Sequence, residues 1–280
     1  MIENHFPEFF RRADDHSARW QRRYLRMQKV QLGALLLAAA VAAVGDYPLP
    51  VLLFGVAIAA QLYRLTARAD EKWWNGRAGA ESAKTASWLY VVGGAPFNIN
   101  NPNADLELAR RLREIGDKVA RILPVPTGQA HVTAEMVAVR TQPLPERVEI
   151  YQRERIQDQC QWYAKNSELN EKGGRWSAFL GVAMQTLGLL FGVAAAVYHW
   201  RLDAVGLFAS LAASAVAWSA VKQYETLERS YAVASSELST IEVEISSRSW
   251  TDESAWAAFV NASEDAISRE HTSWRASRAA

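Results

Sequence analysis

The 280-residue chain carries a formal net charge of +1 and one cysteine, Cys160. A lone cysteine excludes an intrachain disulfide, and the near-neutral charge excludes a globally basic nucleic-acid binder. Half of the residues are apolar and 11 are tryptophan, and their clustering decides the fold class.

The N-terminal MIENHFPEFFRRADDH alternates in charge and lacks the apolar stretch of a cleavable leader. Basic residues Arg11, Arg12, Arg19, Arg22, Arg23, Arg26 and Lys29 then precede an uncharged apolar run, Val30–Val44. After Gly45-Asp46 a second uncharged run covers Pro48–Tyr63. Both are short for a hydrocarbon core about 30 Å thick, which takes roughly 20 helical residues. Met27, Lys29 and Arg64 are expected to complete them by snorkelling. From Tyr63 to Pro96 there is no proline, so the second run is expected to continue unbroken into a charged stalk helix. Trp73, Arg77, Glu81, Lys84 and Trp88 fall on one face of that helix, and Trp74 lies beside it.

VVGGAPFNINNPN at 91–103 ends the stalk. Asn103–Ile122 is read as an amphipathic helix with Leu108, Leu112, Ile115, Val119 and Ile122 on one side, stopped by Pro124, Pro126 and Gly128. Val132–Arg140 is ambiguous between strand and helix, and a short helix opened by Thr133 is preferred. Pro143-Leu-Pro breaks it before a long helix, Glu146–Lys172. The third uncharged run, Trp176–Trp200, spans a bilayer comfortably with Trp at both ends, and the fourth is Ala204–Val221. A second stalk follows, with the stripe Tyr224, Glu228, Tyr231, Ser235 and Leu238. A last helix, Asp252–Arg275, carries Trp256, Phe259, Val260, Ser263, Ile267, Glu270 and Trp274.

These elements predict an all-α polytopic membrane protein: two transmembrane helical hairpins with long cytoplasmic helical extensions. The competing reading is a soluble fold that buries both hairpins on all sides, which the amphipathic and charged remainder of the chain is poorly suited to do. Basic residues flank both hairpins, whereas the turns near Gly45–Pro48 and Arg201–Asp203 carry little positive charge. Both termini and the central segment are therefore expected in the cytoplasm. The plan of charged helix, hairpin and charged helix occurs twice, so the expected divisions are a first module at 1–92, a central cytoplasmic segment at 93–145 and a second module at 146–280. Two copies of like orientation exclude an inverted repeat.

No catalytic pattern emerges, so no enzyme activity, cofactor or metal is expected. The five histidines (His5, His16, His131, His199, His271) have no ligand spacing to one another or to Cys160, and Asp14-Asp15-His16 reads as a solvated helix face. There is no P-loop, Rossmann or nucleophile-elbow motif, and GGAP at Gly93–Pro96 reads as a helix stop rather than a phosphate cradle.

Several segments together resemble a known family, the SLATT proteins (SMODS- and SLOG-associating two-transmembrane effectors). They are WWNGRAGAESAKT at Trp73–Thr85 with Trp88, Tyr90 and GGAPF at Gly93–Phe97; ERIQDQCQWYAKNSELN at Glu154–Asn170; ERSYAVASSELS at Glu228–Ser239; and ISREHTSW at Ile267–Trp274. They cover most of the chain in a form with two fused hairpins. The resemblance implies an effector of a bacterial conflict or antiphage system in the inner membrane, triggered by a nucleotide signal or a partner sensor protein. Such an effector would oligomerise, permeabilise the membrane and kill or arrest the cell. Unlike a complete system, this chain has no recognisable nucleotide-synthesising or sensor domain.

The Arg77–Glu81–Lys84 face then admits two roles: an ion-paired packing surface between stalk helices, or a site where Arg77 and Lys84 hold an anionic nucleotide against Trp73, Trp74 or Trp88. Within the membrane, Gly188 and Gly192 form a GxxxG step, and Gly206, Ser210 and Ser214 repeat small residues on the next helix, as close helix packing requires. Gln185 and Thr186, with Ser210 and Ser214, are the candidate polar lining of a pore, which four helices of one chain are too few to enclose. The expected partners are thus the lipid bilayer and further copies of the chain, with no nucleic acid. A non-conducting membrane scaffold that recruits cytoplasmic proteins is the alternative function.

Overall fold

The computed structural model describes residues 5–45, 48–119, 131–199 and 204–279, with side chains of the last helix as far as Ser268. Several expectations lie outside these residues. They concern Asp46 in the first turn, Ile122 with the stop at Pro124, Pro126 and Gly128, Trp200, the Arg201–Asp203 turn, and the side chains of Glu270, His271 and Trp274.

Among the described residues all regular structure is helical. In chain order the helices are α1 (Glu8–Ala42), α2 (Pro48–Ala67), α3 (Ala69–Val92), α4 (Ala104–Val119), α5 (Ala134–Arg140), α6 (Leu144–Tyr151), α7 (Asp158–Tyr198), α8 (Ala204–Lys222), α9 (Tyr224–Ser247) and α10 (Glu253–Ala279). A π-helical segment, Gln152–Gln157, joins α6 to α7. Thr133 caps α5 by accepting from the Met136 amide, so the ambiguous Val132–Arg140 segment is a helix. The continuous second-run-to-stalk helices are corrected. α2 and α3 are separated by Arg68 at φ 46°, and α8 and α9 by Gln223 at φ 52°. One left-handed residue interrupts the i→i−4 ladder without proline or glycine, which sequence pattern does not announce.

The chain divides into two compact units: Met1–Trp20, Asp70–Lys165 and Ser230–Ala280 form one, and Gln21–Ala69 with Asn166–Arg229 form the other. The first unit has a core of large side chains. Phe6, Trp88, Tyr151 and Trp256 are essentially inaccessible, and their rings follow one another edge to face at 5.8, 6.0 and 5.7 Å between centroids. Leu108, Leu112, Ile115 and Val119 bury the apolar side of α4 against the same core, as their spacing dictates.

The second unit reverses that arrangement. Its buried positions include Ala34, Ala38, Ala57, Ala60, Ala212 and Ala215, while Leu52, Val51, Phe179, Val182, Leu189 and Leu190 point outwards. Small residues inside and branched or aromatic residues outside are the pattern of helices packed in lipid, where backbones approach closely and apolar surface costs nothing to expose. The soluble alternative required those apolar faces to be covered, and they are open: Leu52 and Leu189 are each 68 % exposed. Among the described residues four helices are long and apolar enough to cross a membrane, two in each half of the chain.

Candidate functional site

Positioning of the first unit's side chains begins at α3. Gly76 lets α3 approach α1 closely, because a Cβ there would sit 3.1 Å from the Ser17 backbone nitrogen. Next to it, the Ser17 hydroxyl donates to the Trp73 carbonyl at 3.2 Å. Trp73 is buried and stacks on Trp74 with centroids 3.7 Å apart. Arg77 and Glu81 are half-buried, Lys84 is buried, and Trp88 is 1 % exposed. The stripe drawn from Trp73 to Trp88 is therefore turned into the unit. The open space lies on the adjoining face of α3: a cavity of about 920 Å³ floored by Ala78, Gly79, Ser82 and Ala86, with α4 and α10 as its walls. Its α4 wall supplies Arg110, Arg111 and Lys118 together with Glu107 and Glu114, and α10 supplies Asp265. Three bases and three acids leave no net preference for an anion.

The end of α3 explains the GGAPF loop. The Gly94 amide donates to the Leu89 carbonyl and the Gly93 amide to the Tyr90 carbonyl, with Gly93 at φ +79°. This is a Schellman helix stop, as expected for that segment. Its carbonyls are then claimed by side chains from far along the chain. Arg147 Nη1 and Trp256 Nε1 both donate to the Val92 carbonyl, at 2.7 and 2.9 Å. Arg140 donates to the Tyr90, Phe97 and Asn98 carbonyls. Two guanidinium groups thus sit at the negative end of the α3 dipole, where cations are favoured. Arg147 is 1 % exposed and also pairs with Glu253. Burial lowers the Arg140 pKa, an effect that Tyr90 and Asp105 oppose.

A second buried network centres on Glu264 of α10, which is 0 % exposed. Arg155 grips it with two bonds, Nε to Oε1 at 2.8 Å and Nη2 to Oε2 at 2.7 Å. The Tyr151 hydroxyl donates to Oε1 at 3.1 Å and Thr85 Oγ1 to Oε2 at 2.9 Å. One carboxylate thereby ties α3, α6, the π segment and α10 together. The wider π turn places successive residues, Arg155 and Ile156, both inside. Burial alone would depress the Arg155 pKa, but the Glu264 charge and hydrogen bonds raise it instead. Tyr151 is pushed up by burial and then by the Glu264 charge. Thr85 is the link to the cavity, since it lines that space and bonds Glu264.

In the second unit the small residues of α7 face α8. A Cβ on Gly188 would meet Phe208 Cβ at 3.2 Å, and one on Gly192 would meet Val205 Cγ2 at 3.4 Å. Gly206, Ser210 and Ser214 are half-buried on α8, and Ser210 returns its hydroxyl to the Gly206 carbonyl at 2.9 Å. Gln185 and Thr186 are exposed on α7, with the Thr186 hydroxyl spent on the Val182 carbonyl at 2.9 Å. In the first hairpin Gln31 Nε2 donates to Gln61 Oε1 at 3.0 Å. Lys29 lies over the Trp218 ring and Arg64 over the Tyr24 ring, at 5.6 and 5.7 Å.

Sequence pattern missed Arg140, Arg147, Arg155 and Glu264. Each lies in a charged stretch of the kind that is ordinarily solvated, and each finds its partner 40 to 110 residues away. Among the described residues no three His, Cys, Asp or Glu side chains gather in a way that could hold a metal ion.

Fold and exposed apolar surface define an all-α polytopic membrane protein. A model of the family described as SMODS and SLOG-associating 2TM effector domain 3 matches residues 7–148, and one described as SMODS and SLOG-associating 2TM effector domain 1 matches residues 151–274. The chain belongs to this SLATT family, with two such domains in tandem. The first match covers the α1–α2 hairpin and the second the α7–α8 hairpin. No curated protein and no solved structure matches the chain.

Proposed function

We propose that this protein is the membrane-permeabilising effector of a bacterial conflict system, acting as an oligomer in the inner membrane with both termini and the central segment in the cytoplasm. The observation that carries the reading is the tandem match to two effector domains, each laid over one apolar hairpin. Association with conflict and antiphage systems comes with the family. Orientation rests on the basic residues that flank both hairpins. One chain's four membrane helices are too few to surround a wide channel, so permeation calls for several copies.

The trigger is proposed to be a nucleotide or a partner sensor protein acting on the first unit. The cavity on α3 offers room for a small molecule, and its Thr85 touches the Glu264 network. The exposed α3–α4–α10 surface around it equally suits a protein partner. No enzymatic step is assigned.

The test is release of ions and dye from liposomes holding the purified full chain, with and without cyclic nucleotides. Ligand-dependent leakage is expected if a nucleotide is the trigger. Leakage only when a co-encoded partner protein is added would assign the trigger to that partner. Absence of leakage under every condition, with a stable complex in pull-downs, would replace the effector reading with the non-conducting scaffold.

A further inference from the structure

Three glutamines lie within the apolar runs of this chain: Gln31, Gln61 and Gln185. A carboxamide has donors and an acceptor that hydrocarbon cannot satisfy, so each needs a polar partner within the bilayer. Gln31 and Gln61 meet that need with each other at 3.0 Å. Gln185 is exposed and has no hydrogen-bond partner among the described residues. It also sits deep. It lies nine positions after Trp176 and 13 before Tyr198, which at about 1.5 Å per residue puts it close to the middle of the span.

The surface around it has the periodicity of a helix–helix seam. Ala178, Val182, Gln185, Leu189 and Ala196 are all exposed and fall at steps of four, three, four and seven, a 3.5-residue repeat along one flank of α7. The repeat's remaining position, between Leu189 and Ala196, is Gly192, which is half-buried against Val205 of α8, so the flank borders the α8 contact there, while Gln185 and Leu189 themselves are exposed. A lone polar residue in an apolar heptad stripe is the device by which helices fix register and partner number. A carboxamide is also self-complementary, so a two-fold-related copy offers a donor to each acceptor and an acceptor to each donor.

We infer that the Ala178–Ala196 flank of α7 docks in parallel on the same flank of a second copy, with the two Gln185 carboxamides hydrogen-bonded across the interface. The inference rests on α7 being a membrane span, which the permeabilisation reading shares, but it requires no conduction. It assigns the first contact between copies to the second hairpin.

The experiment measures association of the full-length chain in liposomes by energy transfer between differently tagged copies across a series of protein-to-lipid ratios. Gln185→Leu is expected to weaken association by about three- to tenfold, Gln185→Asn to keep most of it, and Thr186→Val, whose hydroxyl is already spent within its own helix, to leave it unchanged. As a second readout, Leu189→Cys in a Cys160→Ser background is expected to form disulfide-linked dimers under mild oxidation, whereas Leu190→Cys, on another face, is not. Wild-type chains that stay monomeric at every density, or a Gln185→Leu chain that associates as tightly as wild type, would overturn the inference. Unchanged association with reduced leakage in Gln185→Leu would likewise overturn it, since the carboxamide would then line a permeation path. Weakened association with leakage intact would uphold the docking face and refute the proposal that leakage needs the oligomer.

Discussion

Replacing Glu264 by leucine tests whether the first unit depends on one buried carboxylate. The substitution removes four contacts at once: two from Arg155 and one each from Tyr151 and Thr85. The largest effect is electrostatic. Arg155 is 1 % exposed and would lose its hydrogen-bonded counterion, keeping only the weaker influence of the Glu81 charge; breaking a buried pair in this way costs about 3–5 kcal/mol in proteins. Arg155→Met leaves the carboxylate with two hydroxyl donors and no cation, and is expected to cost a similar amount. The double substitution removes both buried charges of this pair. It forfeits chiefly the acceptor of the Tyr151 and Thr85 hydroxyls, about 1 kcal/mol each, so it is expected to cost less than either single change. The assay is urea unfolding of the detergent-solubilised chain followed by tryptophan fluorescence, with Trp256 packed 5.7 Å from the Tyr151 ring as a reporter. Single substitutions costing under about 1 kcal/mol, or a double that equals their sum, would refute the account of Glu264 as the carboxylate that ties these helices together.

Gly93→Ala is expected to destabilise the first unit by more than the roughly 1–2 kcal/mol of a left-handed non-glycine residue, because the new Cβ would lie 2.8 Å from Arg147 Nη1; the same unfolding measurement decides it. Conversely, Arg68→Gly and Gln223→Gly relieve left-handed backbone at φ 46° and 52° and are each expected to stabilise by about 1 kcal/mol, a gain that thermal unfolding in detergent would register as higher midpoints. Tyr90 and Tyr151 both have raised pKa values, chiefly through burial and then through Asp105 and Glu264 respectively. Folding favours their neutral forms, so this contribution is fully present below the usual tyrosine pKa of about 10 and is lost as pH rises through the folded values. An absorbance titration should show these two tyrosines ionising only as the protein unfolds, and their titration with the exposed tyrosines in intact protein would refute the assignment.

The parts of the fold legible in sequence were those written in short-range pattern. The uncharged runs gave four apolar helices, the spacing of Leu108, Leu112 and Ile115 gave the buried side of α4, and the paired glycines at 93 and 94 gave a helix stop. Thr133 gave a cap. The breaks at Arg68 and Gln223 were invisible because neither residue type favours the left-handed region, and tertiary packing must hold them there. The π segment was invisible for the same reason, since QRERIQ has good helix formers throughout. At the candidate site, local pattern found the α3 stripe but not the cavity, which lies one position round the helix and is formed only when α4 and α10 assemble beside Ala78, Gly79 and Ser82. Arg155 and Glu264 are separated by 109 residues, and nothing in either neighbourhood distinguishes them from solvated charges.

The breaks also differ between the two helices of each hairpin. α1 and α7, which lead into the hairpins, are uninterrupted over 35 and 41 residues, rods of about 52 and 62 Å at 1.5 Å per residue. α2 and α8, which lead out, each end at a single left-handed residue before the next helix begins. Each domain therefore pairs a stiff shaft with a jointed one. A twist or thrust applied to the polar end of α1 or α7 travels along an unbroken hydrogen-bond ladder into the apolar segment, whereas bending at Arg68 or Gln223 disturbs one peptide's conformation and leaves the helices on either side intact. The same asymmetry recurs in both halves of the chain, so the left-handed breaks fall on the returning helices and the leading ones are unbroken.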